Sequence, residues 1–211
     1  MRVLAMKRLA VAFLSAALLS LAIFSGCTSQ QSSAPTPAVA PKPPELLTGR
    51  SAFQQLFVAA RGWAADVKPY QLQSQPVGDN NGRDGKAVVW NAAFASAARG
   101  SRPYTWMGVD SPDGSAQRGI SHGSEDSYAP SGTFDIAFLK VDSDKAFEVA
   151  QKHGGEKLLA GAPSTPVIYL LDWNVSDNNL VWHVIYGTSR NDAKLTVDVD
   201  ASTGLYTRTE K

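Results

Sequence analysis

Cysteine is almost missing from these 211 residues: Cys27 is the only one. It allows no intramolecular disulfide and no cysteine-rich zinc site, so stability has to come from packing. Histidine is nearly as scarce, and His122, His153 and His183 lack the close spacing of paired metal ligands. Charge of one sign is also lacking. Arg2, Lys7 and Arg8 precede Cys27, and the remainder holds 17 basic against 19 acidic residues. That balance gives no electrostatic footprint for nucleic acid or an anionic membrane surface. No apolar run reaches the ~20 residues of a membrane-spanning helix. No G-x-S-x-G elbow, H-E-x-x-H helix or Gly-rich phosphate loop occurs either.

What is present begins with a positive start followed by Leu9 to Phe24, an apolar run of 16 residues that ends in Ser25-Gly26-Cys27. This is the layout of an export signal. The stretch Phe24-Ser25-Gly26-Cys27 resembles the lipobox of bacterial lipoproteins, with Phe24 where leucine is usual. The resemblance implies a diacylglyceryl thioether on Cys27, removal of residues 1–26 and acylation of the new amino end, as with palmitate. Thr28 is not the aspartate that favours retention at the inner membrane. The periplasmic face of the outer membrane is therefore expected over the inner membrane. From residue 27 to 46 the chain is rich in Pro, Ser and Gln, with prolines at 35, 37, 41, 43 and 44. Such a composition makes a disordered tether with a reach of roughly 50 Å at most.

Folded structure is expected from residue 47. Ser51 with Gln54 has the form of a capping box, and Phe53, Leu56, Phe57, Ala60, Ala64 and Val67 recur on one helical face. A second helix is expected in SDKAFEVAQKHGG, capped by Asp142 or Ser143, with Ala146, Phe147, Val149 and Ala150 inward and Gly154 as its left-handed stop. Similar segments follow each helix. Trp90 in AVVWNAAFAS matches Trp182 in LVWHVIYG, and VDSPDG, ending at Gly114, matches VDASTG, ending at Gly204. The spacing from tryptophan to glycine is 24 residues in the first copy and 22 in the second. Alternation puts Trp182, Val184 and Tyr186 on one strand face, and Trp90, Ala92 and Phe94 on its counterpart.

The run from VDSDKAFEVAQKHGG through LVWHVIYG to LTVDVDASTG resembles the PepSY-like modules of bacterial envelope and secreted proteins. The likeness is good over Val141 to Leu205 and weaker over Ala52 to Gly114. It implies an α+β fold of two tandem helix-plus-antiparallel-meander modules, residues 47–132 (with a polar connecting loop) and 133–211. It also implies non-catalytic modules associated with peptidase propeptides, inhibition of peptidases and envelope regulation.

The residues themselves nominate few sites. His183 alternates away from the Trp182 face and reads as a solvated polar position; His153 suits the carbonyl end of a helix. GDNNGRDG, Gly78 to Gly85, lacks the bidentate glutamate of an EF-hand and reads as a hairpin loop. The segment Ser115 to Gly132 carries Arg118, His122, Glu125, Asp126 and Tyr128, and is either a flexible linker or a functional loop. Trp106 and Trp173 remain for an exposed platform, so Trp106, Trp173, His122 and Tyr128 are the candidate binding surface. No catalytic, cofactor or metal residue is assigned. The expected function is a lipid-anchored envelope protein that binds a protein or peptide, with the membrane as its other partner. The alternatives are an envelope hydrolase using His122 with an acid of its own segment, or a structural spacer.

Overall fold

The computed structural model describes residues 42–111, 113–127 and 131–210. Cys27, the signal, most of the tether and Tyr128 lie outside the described residues. Two short strands, β1 (Leu47–Thr48) and β3 (Lys86–Ala87), pair beside helix α1 (Gly49–Trp63). Strands β2 (Lys68–Gln75), β4 (Val89–Ser96), β5 (Gly100–Met107) and β6 (Gly119–His122) follow. Then come α2 (Ser143–Ala150), α3 (Glu156–Gly161) and strands β7 (Val167–Asn174), β8 (Asn179–Tyr186), β9 (Leu195–Asp200) and β10 (Tyr206–Glu210).

The protein is α+β, with one eight-stranded antiparallel sheet in the order β10-β9-β8-β7-β2-β4-β5-β6. In each half a helix is followed by four strands that run outward from the centre, where β2 pairs with β7 through Leu72 and Leu171. Helix α1 packs on β2, β4 and β5, and α2 packs on β8 and β9. Both helices cover the same core, so the apolar stripes of the two halves merge into one cluster.

Alternation along the strands decides what enters that core. Trp90 and Trp182 are fully buried and meet edge to face, with ring centroids 6.4 Å apart. Each indole N–H donates at 2.9 Å to the carbonyl two residues before a helix begins, Trp90 to Leu47 and Trp182 to Val141. A buried indole needs such a partner, and here the bond also fixes where each helix starts. Gly49 is the first residue of α1 because nothing larger fits: a Cβ there would lie 2.5 Å from the Trp182 ring and 3.0 Å from that of Trp90.

The helix starts differ from the sequence expectation. The Ser51–Gln54 box does not form; α1 begins at Gly49 and its N-cap Thr48 makes no side-chain cap bond. Asp142 does the work instead. Its Oδ1 accepts from Ser143 N (2.7 Å), capping α2, and from Arg50 N (2.8 Å) in the first turn of α1, while its Oδ2 accepts from Thr48 Oγ1 (2.7 Å). One carboxylate thus serves two helix N-termini, each of which favours negative charge. Ser143 Oγ accepts from Gly49 N at 2.7 Å and donates to Gly85 O at 2.5 Å. Gly154 does take a positive φ, 116°, and the chain bends there through Gln151–Gly155 before α3 resumes.

The GDNNGRDG loop is docked on the second half. Val167 N donates to Asn81 O (2.8 Å), the Tyr169 hydroxyl donates to Gly82 O, and Arg83 reaches the carbonyls of Pro163 and Thr165. The segment after β5 is likewise more than a linker. Gly119–His122 adds the edge strand β6, and Asp126 pairs through its backbone with Ser101. Those bonds satisfy the outer edge of β5, which would otherwise leave backbone groups unpaired. Among the described residues no helix is long and apolar enough to cross a membrane.

Candidate functional site

Because Trp182 faces the helices, its neighbour His183 faces the other side of the sheet. Its registered neighbours are Leu170 on β7 and Asp198 on β9. The His183 ring lies between two carboxylates, with Nδ1 2.6 Å from Asp198 Oδ1 and Nε2 3.0 Å from Asp172 Oδ1. Arg208 Nε on β10 donates to Asp198 Oδ2 at 2.7 Å and lies 3.1 Å from Glu210. Arg190, in the segment between β8 and β9, reaches Asp172 Oδ2 at 3.4 Å. The order of charges is Arg190, Asp172, His183, Asp198, Arg208, Glu210, positive and negative in turn.

His183 is only 6% exposed and Asp198 2%, which corrects the reading of His183 as a solvated position. The physical reason is a cover the alternation rule cannot see. Residues 187–194 fold back over this face, where Ala193 packs on Ile168, Leu170 and Ile185. Burial alone would drive the ring neutral, but the hydrogen bonds and charges of Asp172 and Asp198 outweigh it and hold the pKa above the ordinary 6.5. Asp172 shifts the other way: burial opposes its charge, yet His183 and Arg190 hold its carboxyl below the usual range. When the ring is protonated both nitrogens donate to carboxylates, and it then has no lone pair with which to take a proton from a substrate.

A cleft beside this cluster is lined by Trp173, Asp177, Arg190 and Arg208 together with Asp172 and His183. Trp173 is partly exposed and packs on Phe138, centroids 5.2 Å apart. It is also packed in part against the main core. Trp106 is buried: at 3% exposure it sits under α1 on the same strand face as Tyr104, directly across from Trp90. The two-residue spacing from Tyr104 was the available signal.

His122 is the last residue of edge strand β6 rather than part of a loop. Its Nδ1 lies 2.7 Å from Arg102 Nη2, and its ring packs against Tyr104. One acid of the same segment, Glu125, turns to Arg99 (2.6 Å) and toward Arg102 (3.9 Å). The Arg102 guanidinium thus faces His122, and Glu125 is engaged by arginines. His153 stacks on Tyr206 with centroids 3.8 Å apart. Among the described residues no group of three or more His, Cys, Asp or Glu could hold a metal ion.

A second surface lies where the chain enters the fold. Arg118 donates to the carbonyls of Lys42 and Pro43 at 3.0 Å, and Glu45 N donates to Gly108 O at 2.8 Å. Beside this fastened stem runs a groove lined by Leu46, Val77, Val88, Val89, Met107 and Val109, with Asp79 and Asp110 also in its lining. Leu46 and Val77 are among the exposed large hydrophobics. Sequence reading missed this groove because its apolar residues come from four separate segments.

No family model matches the chain, and no curated protein matches it. The PepSY-like reading therefore rests on the residues that suggested it. Among solved structures, the fold is similar to that of a crystal structure described as a candidate lipoprotein from Clostridium difficile 630. The match has a TM-score of 0.50 and 10% identity, and covers 75% of this chain and 91% of that one. At that identity the likeness is one of fold.

Proposed function

We propose that this chain is a bacterial envelope lipoprotein, held by acyl chains on Cys27, whose folded part is a binding body of two duplicated PepSY-like units. The observation that carries the reading is the signal layout: a basic start, the apolar run Leu9 to Phe24, and Ser25-Gly26 immediately before the only cysteine. The solved neighbour described as a candidate lipoprotein supports it by analogy. Two or more acyl chains anchor a protein stably where one would not. The outer membrane is the expected location, since Thr28 is not an aspartate.

The duplication is supported by the paired indole bonds to Leu47 and Val141 and by the matching strand order of the halves. A binding role is supported by the apolar groove beside the stem, whose occupant would be an extended peptide or protein segment offering apolar side chains. Mass spectrometry of the mature amino end tests the anchor; unmodified Cys27 or cleavage elsewhere removes it. Site-specific photocrosslinking from position 77 tests the groove. Capture of a defined partner that is lost in Leu46→Glu supports this role, and capture that ignores the substitution overturns it.

A further inference from the structure

We propose that His183 is the sensing residue of a protonation clasp: its charged ring holds Asp172, and through it Arg190, so that residues 187–194 stay seated on the outer face of the second half. The groups that face the ring come from every element around it. They are Asp172 on β7, Asp198 on β9, Arg208 and Glu210 on β10, and Arg190 on the segment itself, with Asp177 of the β7–β8 turn acting on Arg208.

Loss of the ring proton to solvent affects the two contacts unequally. The neutral ring keeps one N–H. Asp198 retains it, because that carboxylate is the more deeply buried, the closer at 2.6 Å, and already fixed by Arg208. The lone pair on Nε2 then faces Asp172 Oδ1 at 3.0 Å, an acceptor against an acceptor. Asp172 has an escape that Asp198 lacks, since its side chain is 29% exposed. It turns toward water and takes with it the Arg190 contact, already long at 3.4 Å. The middle of the segment is left with the Ala193 packing, while its two ends stay tied by Gly187 N to Pro166 O, Lys194 N to Tyr186 O and Lys194 Nζ to Thr165 Oγ1. It loosens over Ile168, Leu170 and Ile185.

The window follows from the direction of the His183 shift. The clasp is closed in mildly acidic solution and opens as pH rises through a value above 6.5. The test uses the full chain in detergent. His183 ring resonances are followed by NMR from pH 5 to 9 alongside the exchange protection of amides 188–193, corrected for intrinsic exchange. The result expected is a several-fold loss of protection that tracks the His183 titration and is absent in Asp172→Asn, whose amide can meet either ring form. Protection that stays constant, a loss of equal size in Asp172→Asn, or a ring that does not titrate in this range overturns the proposal.

Discussion

On the outer face of the first half, Asn91 of β4 accepts from Thr105 of β5 at 2.7 Å, a neutral pair left half-exposed. At the matching places in the second half stand His183 and Asp198, charged, buried and bonded at 2.6 Å. The connections explain why. Three residues, 97–99, join β4 to β5, whereas eight, 187–194, join β8 to β9 and fold over the sheet. The residues beneath agree with that difference. Where the covered half has Ile168 and Leu170, the open half has Gln71 and Gln73. An uncovered face keeps groups that water can solvate, and a covered one must pair every charge it buries. Nearly the same strand plan therefore yields an inert polar face on one side and a titratable network on the other.

The helix side sets the limit of the likeness, because there the two halves use the same device. Trp182→Ala and Trp90→Ala should each cost about 3–5 kcal/mol in denaturant unfolding, and a large inequality between them would break the symmetry. On the outer face the halves should part. His183→Ala leaves Asp198 buried beside Arg208 alone and should cost about 3 kcal/mol, against about 1 kcal/mol for Asn91→Ala.

The pH profile sharpens the same contrast. His183 has a folded pKa raised above its unfolded 6.5, so its contribution is complete below 6.5 and fades as pH climbs through the folded value. Wild type should lose stability over that interval while His183→Asn does not, as thermal melts at stepped pH would reveal. Asp142→Ala, which removes the acceptor serving both helix starts, should cost about 2 kcal/mol by the same melts. Arg190→Ala comes last, below about 1 kcal/mol, because its ion pair is half in water.

Much of the fold was legible in short-range pattern. The strands around Trp90 and Trp182, the turns at Gly114 and Gly204 with φ of 71° and 76°, and the stripe Phe53, Leu56 and Ala60 all follow local periodicity. Misreadings arose where a distant residue supplied the partner. Ser51 and Gln54 had the spacing of a capping box, but the helix starts earlier, at Gly49, where Ser143 and Asp142 accept from Gly49 N and Arg50 N. The sequence leaves Trp106 for the surface, yet the strand beside it carries Trp90 on the same buried face. The candidate site suffered most. His183 was correctly assigned to the face opposite Trp182 and wrongly assigned to water.

The amino-acid sequence by itself determined the helix and strand faces and the pairing of tryptophans, because each depends on neighbours within a few residues or on a repeat visible by eye. Only the tertiary structure decided that one half is covered and the other open, that Asp142 serves two helices, and that His183 meets Asp172 and Asp198. Those outcomes depend on which segments the folded sheet brings within about 3 Å, and alternation along a strand carries no information on what lies above it.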